Sequence, residues 1–185
     1  MEWIEVPEKG LTLREVRTMT NRNVNLSDDL EKSVSAILAQ VKEGGDEAIR
    51  ALTKKFDGVD LTDFRVSESE IEEAVKAVGP EFLAVLKEAK ENIEAFHREQ
   101  VRKSWSKTFR DGVELGERFL PIQRVGVYVP GGRAAYPSTV LMDTVPAMVA
   151  GCPSVAMATP PGKDGKVNPN ILAAAYVAGV KEIYK

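Results

Sequence analysis

The residues best able to do chemistry stand together in one run, Tyr128-Val129-Pro130-Gly131-Gly132-Arg133-Ala134-Ala135-Tyr136-Pro137-Ser138-Thr139. Two adjacent glycines let a backbone come close to a ligand, and an arginine can pair with a phosphate. Two tyrosines offer faces for a nucleobase, while Ser138 and Thr139 carry hydroxyls where a helix should begin. The run lacks G-x-G-x-x-G, so a second reading stays open: Pro-Gly-Gly as a tight turn and Ser138 as a plain helix cap.

Metal and nucleophile chemistry are more constrained. His97 is the only histidine and Cys152 the only cysteine in 185 residues. A catalytic zinc takes three protein ligands, mostly His, Cys or carboxylate, so a self-contained zinc site is not expected. His97 lies beside the apolar positions Leu86, Ile93, Phe96 and Val101, which reads as a packing residue on a helix flank. Cys152, between Gly151 and Pro153 with no histidine near it in sequence, reads as a small buried hydrophobe.

Elements that must position the loop follow from periodicity and punctuation. Before it, RVGVYV is an apolar strand; after it come a helix from about Ser138 to Ala150, the strand SVAMA, a helix opened by Asn168-Pro169 and closed by Gly179, and the strand EIYK. Strand starts near 125, 154 and 182 fit the spacing of roughly 30 residues in βαβ units, so the loop falls at the carboxyl end of a parallel strand. Upstream, SDDLEKSVSAILAQVKEGG is an amphipathic helix with Leu30, Val34, Ile37, Leu38 and Val41 on one face, and Asp46 caps a second helix after Gly44-Gly45. A short extended piece spans Phe64 to Val66; Ser67 and Glu70 form a capping box, Gly79 closes that helix, and Pro80 opens a long one from about Glu81 to Lys103. Asp111-Gly112 marks a hairpin.

The expected fold is α/β: a helical amino-terminal region and β-hairpin, then an incomplete βαβαβ parallel, Rossmann-like sheet. It divides into an arm over 1–26, a helical region over 27–107, a hairpin connector over 108–123 and a partial α/β domain over 124–185, which the family resemblance below makes NAD-binding. Three parallel strands ending at residue 185 would expose a sheet edge and one face, which reads as part of something larger that associates with another copy. A net charge of -3 and pI near 5.4 argue against nucleic-acid binding. Lacking a leader-like amino terminus and any apolar run of roughly 20 residues, the chain is expected in the cytoplasm and not in a membrane.

The run PIQRVGVYVPGGRAAYPSTVLMDTVPAMVAGCPSVAMATPP resembles the segment that marks histidinol dehydrogenases, in which V-G-x-Y-V-P-G-G leads to P-S-[ST]-V-L-M, P-A, A-G and a double proline. VKEGGDEAIRALTKKFDGVDL, ENIEAFH and NPNILAAAYVAGVKEIYK are similar to the family as well. The resemblance implies a dimeric enzyme that oxidises L-histidinol to L-histidine through the aldehyde, using NAD as hydride acceptor and zinc to hold substrate. It also implies that the acid–base pair and the zinc ligands belong to later family segments absent from this sequence, so the chain alone should be inactive. Tyr128 matches the family tyrosine that contacts NAD, with Pro130, Gly131 and Gly132 lining the same loop. The alternative is a noncatalytic or excised α/β module that self-associates through its helical arm.

Overall fold

The computed structural model describes residues 10–13, 16, 28–131 and 134–185. Most of the arm over 1–26 and the candidate Gly132 lie outside the described residues. The chain divides into two compact units, Met1–Ile49 and Arg50–Lys185.

Helix α1 covers Asp28–Phe56 and breaks at Gly45, whose φ of 53° and ψ of -137° no helical residue adopts, so the glycine pair separates two helical segments as its position in the sequence implies. Leu30, Val34 and Leu38, the apolar face of the first segment, are exposed.

The second unit carries the candidate site. Its α2 spans Glu68–Arg98 and opens with the expected capping box: the Glu70 amide donates to Ser67 Oγ, and the Ser67 amide donates to the Glu70 carboxylate. Gly79 again breaks the helix, at φ 78°. The helix stops at Arg98, short of the Lys103 that periodicity suggests, and β1 begins at Trp105, inside the stretch read as helical up to residue 107. Residues 99–104 instead lead into the hairpin, whose base is closed where the Phe119 amide donates to Ser104 Oγ at 2.9 Å. Strands β1 (Trp105–Arg110) and β2 (Val113–Glu117) pair antiparallel around Asp111-Gly112, with Gly112 at φ 73°.

Three parallel strands follow in the order β3 (Arg124–Tyr128), β4 (Ser154–Ala158), β5 (Glu182–Tyr184), joined by α3 (Pro137–Val149) and α4 (Pro169–Ala178). Asn168 Oδ1 accepts from the Asn170 amide and Gly179 ends α4 at φ 91°, both as the sequence indicates. Helices α2, α3 and α4 pack as one layer, their Leu86, Leu141, Ile171 and Leu172 meeting Met157 and Ile183 of the sheet in one core. The opposite face of the sheet is open: Arg124, Gly126, Tyr128 and Ala158 are exposed, and Arg124 pairs with Glu182 across it.

One expectation is corrected. The outer edge of β5 is not exposed, because the extended piece after α1 lies antiparallel along it: the Val66 amide donates to Ile183 O at 3.0 Å and the Lys185 amide to Phe64 O at 2.8 Å. Unmatched ladder groups on a buried strand are costly, and a local segment satisfies them.

Candidate functional site

The Tyr128–Thr139 run emerges at the carboxyl end of β3. Val129 continues the ladder by donating to Ala158 O at 2.9 Å and is fully buried, which anchors the loop, while Tyr128 is 65% exposed on the open sheet face. Pro130 is exposed and Gly131 half-buried. Helix α3 starts at Pro137 with Tyr136 as its amino-terminal cap and no side-chain hydrogen bond to the first turn. Ser138 is therefore inside the helix and not its cap, which overturns the plain-cap reading; the proline fixes the start one residue earlier.

Gly131 packs against the next loop. A Cβ built there would sit 3.0 Å from Pro160 Cγ and 3.2 Å from Pro160 O, so the two loops meet at a position that only glycine fits without displacement. Between them, α2 and the start of α4 lies a cavity of about 410 Å³ lined by Gly131, Ala134, Ala135, Thr159 and the 160–172 stretch on one side and Glu70, Glu73, Ala74 and Ala77 on the other. Thr159 is the first residue after β4. Its amide donates to Tyr184 O at 3.0 Å, but its buried Oγ1 has no hydrogen-bond partner. An unpaired buried hydroxyl costs about 1–3 kcal/mol, and native structures keep few of them. Sequence reasoning missed Thr159; the available signal was its place just past a parallel strand, where open α/β sheets bind ligands.

Charges around the cavity are mostly matched. Burial alone would raise the pKa of Glu70, but the Lys185 ammonium at 2.7 Å and the Ser67 amide and hydroxyl outweigh it and hold the carboxyl below its ordinary value. Lys166 Nζ stands 3.5 Å from Glu73, and Asp164 Oδ1 accepts from the Lys166 amide at 3.1 Å. On the open sheet face, Tyr184 donates to Glu182 at 2.7 Å, and this bond raises the phenol pKa.

The structure also brings together two residues that sequence spacing separates. His97 and Cys152 both line a second cavity of about 390 Å³ beneath Phe119 and Pro121. His97 Nδ1 lies 2.7 Å from Gln100 Oε1 and its ring meets Phe96 edge-on, so it is a half-buried packing residue as expected. Cys152 is half-buried instead of fully enclosed. Among the described residues, no three His, Cys, Asp or Glu side chains are grouped closely enough to hold a metal ion. The glycine-tight contact between two strand-end loops and the unpaired buried Thr159 hydroxyl both lie at the first cavity.

A layer of helices on one face of a three-stranded parallel sheet, with loops and a cavity at the strands' carboxyl ends, defines an α/β protein whose strand-end loops lie where open sheets of this class hold ligands. Comparison narrows the class. The histidinol dehydrogenase family model matches residues 20–185. A histidinol dehydrogenase of Heliobacterium mobile is 50% identical over 92% of this chain and 43% of its own length, and one of Methanocaldococcus jannaschii is 47% identical over 96% and 42%. The crystal structure of histidinol dehydrogenase from Elizabethkingia anophelis superposes with a TM-score of 0.85 at 38% identity, covering 95% of this chain and 40% of that one. The chain belongs to the histidinol dehydrogenase family, an oxidoreductase family. It spans about two-fifths of the length of the curated relatives it matches, corresponding to their amino-terminal portion.

Proposed function

We propose that this chain supplies the NAD-binding part of an L-histidinol dehydrogenase, a cytoplasmic homodimeric enzyme that converts L-histidinol to L-histidine through the aldehyde. NAD, when bound, supplies the hydride acceptor. The observation that carries the reading is the pair of strand-end loops in contact at Gly131 and Pro160, with the family's Tyr128 at the root of one of them. Tyr128, exposed at the end of β3, offers an aromatic face to the cofactor; Pro130 and Gly131 shape the loop beside it, and Gly132 continues it in sequence. With Pro137 lacking an N–H and the Thr139 amide donating to Tyr136 O, the Ser138 amide is left without a side-chain cap at the start of α3, where a phosphate would be favoured. Residues that move protons and hold zinc belong, in this reading, to the portion of the family sequence this chain does not share, so the chain by itself binds cofactor weakly and does not oxidise histidinol.

Among the described residues no helix is long and apolar enough to cross a membrane, which accords with a cytoplasmic enzyme. The exposed apolar stripe of Leu30, Val34 and Leu38 supports self-association. The test is a titration of purified chain with NAD, followed by Tyr128 fluorescence in a background where the other tyrosines and both tryptophans are phenylalanine. Quenching that saturates at roughly millimolar NAD is expected, since a partly open site loses much of its enclosure. No quenching at any accessible concentration would refute the loop assignment, and NADH formation from histidinol by the chain alone would refute its dependence on further residues.

A further inference from the structure

The cavity that holds His97 and Cys152 takes no part in cofactor binding as proposed. It lies within the second unit, and two of its lining residues, Leu120 and Ile122, are 68% and 67% exposed. Val101 and Phe119 continue its apolar wall, and the Arg102 guanidinium lies over the Phe119 ring at 5.6 Å. The rim is basic: residues 97–107 hold four Lys or Arg and one acidic residue, Glu99. A groove of this kind suits an apolar helix face flanked by carboxylates. The first segment of α1 has that form. Val34, Ile37, Leu38 and Val41 recur at i, i+3, i+4 and i+7, and Val34 and Leu38 are exposed. Glu31, three residues before Val34, borders the stripe, and both it and Asp29 are exposed.

We infer that α1 of a second copy of this chain seats its Val34 and Leu38 in the groove at Leu120 and Ile122, with Asp29 and Glu31 against Arg102 and Lys103. This deepens the self-association reading and rests on it. Stripe and groove match in apolar character and carry opposite charge at their margins, and both are exposed in the single chain. Each copy offers one of each, so a two-fold axis uses both twice and closes the assembly as a dimer. Stripes packed on one another would leave both grooves open to water. The buried apolar side chains supply most of the affinity, and the charged margin sets orientation and the rate of encounter.

The native Cys152 on the groove wall serves as the probe. Chains carrying Val34→Cys and Cys152→Ser, labelled with heavy nitrogen, are mixed with unlabelled parent chain at micromolar concentration and oxidised. A disulfide forms where the Cα atoms come within about 7 Å. The expected product is a mixed labelled and unlabelled pair at twice 20.3 kDa, in a yield at least about fivefold above that of Lys32→Cys, which faces away from the stripe. Ile122→Glu, at an exposed position that leaves the fold intact, should raise the dimer dissociation constant at least about tenfold in light scattering. Arg102→Glu should raise it about threefold, and adding Glu31→Arg should bring it back to within about twofold of the parent. Association unchanged in Ile122→Glu would overturn the inference, and so would a Val34→Cys chain that keeps Cys152 and closes the bond within itself. No recovery in the charge-reversed double variant would overturn the charge pairing. Bonds joining two Val34→Cys chains in place of the mixed pair would overturn the groove and spare self-association through the stripe. A parent chain that stays monomeric at every concentration would overturn self-association and the groove together.

Discussion

Replacing Gly131 and Gly126 separately by alanine isolates the contact between the two strand-end loops. Neither glycine has the positive φ that resists a side chain, so backbone strain is absent from both. At Gly126, on the open face of β3, an added Cβ meets nothing within 4 Å. Gly126→Ala should therefore stabilise the fold by about 0.5 kcal/mol through reduced freedom of the unfolded chain. At Gly131 the same atom lands 3.0 Å from Pro160 Cγ, 3.2 Å from its carbonyl oxygen and 3.3 Å from Cδ. A proline ring and a carbonyl cannot rotate away, so the loops must separate by a few tenths of an ångström. Overpacking of this kind costs about 1–3 kcal/mol, which, less the same entropic gain, leaves Gly131→Ala about 1 kcal/mol less stable than the parent. With an m-value near 2 kcal/mol/M the urea midpoint should fall by about 0.5 M for Gly131→Ala and rise by about 0.2 M for Gly126→Ala. Circular dichroism at several urea concentrations resolves both shifts. If Gly131→Ala proved as stable as Gly126→Ala with an unchanged m-value, the loops would not be in contact, and the cavity that depends on them would lose its wall.

Three further outcomes are expected. Glu70→Gln should cost about 1 kcal/mol at pH 7 by weakening the capping box and the Lys185 pair. Because the folded pKa of Glu70 lies below its unfolded value, its contribution is fully present above the unfolded pKa and is lost as pH falls through the folded one; the parent and variant should therefore converge in acid, and a gap that persisted at the lowest pH would disprove the linkage. Leu141→Ala, at a side chain 1% exposed in the core under α3, should lose about 3 kcal/mol in chemical unfolding, and a loss under 1 kcal/mol would contradict the packing described. Light scattering at micromolar concentration should report a species larger than the 20.3 kDa chain, and Leu38→Glu should shift it toward monomer; a clean monomer for the parent would remove the basis for self-association.

Much of this chain is specified by neighbours in sequence. The Ser67–Glu70 box, the breaks at Gly45 and Gly79, the Asp111-Gly112 turn, and the Asn168 and Gly179 limits of α4 are all legible because caps and left-handed turns are settled within a few residues, by side-chain reach and by the absence of a Cβ. The βαβαβ order and the position of the Tyr128 loop at a strand end follow from periodicity in the same way. Tertiary structure alone decided the remainder. Pairing of 64–66 with β5 joins residues more than a hundred positions apart, so no local pattern announces it. Beyond the end of α2 at Arg98, Ser104 is held by a hydrogen bond from the Phe119 amide, a partner that helical periodicity cannot see. His97 and Cys152 share a cavity only because α2 and the turn after α3 pack side by side. Thr159 reads in sequence as an unremarkable polar residue before two prolines; its unpaired hydroxyl exists only once β5, α4 and the Gly131 loop have closed around it, since burial and the absence of a partner are properties of the packed chain and not of the residue.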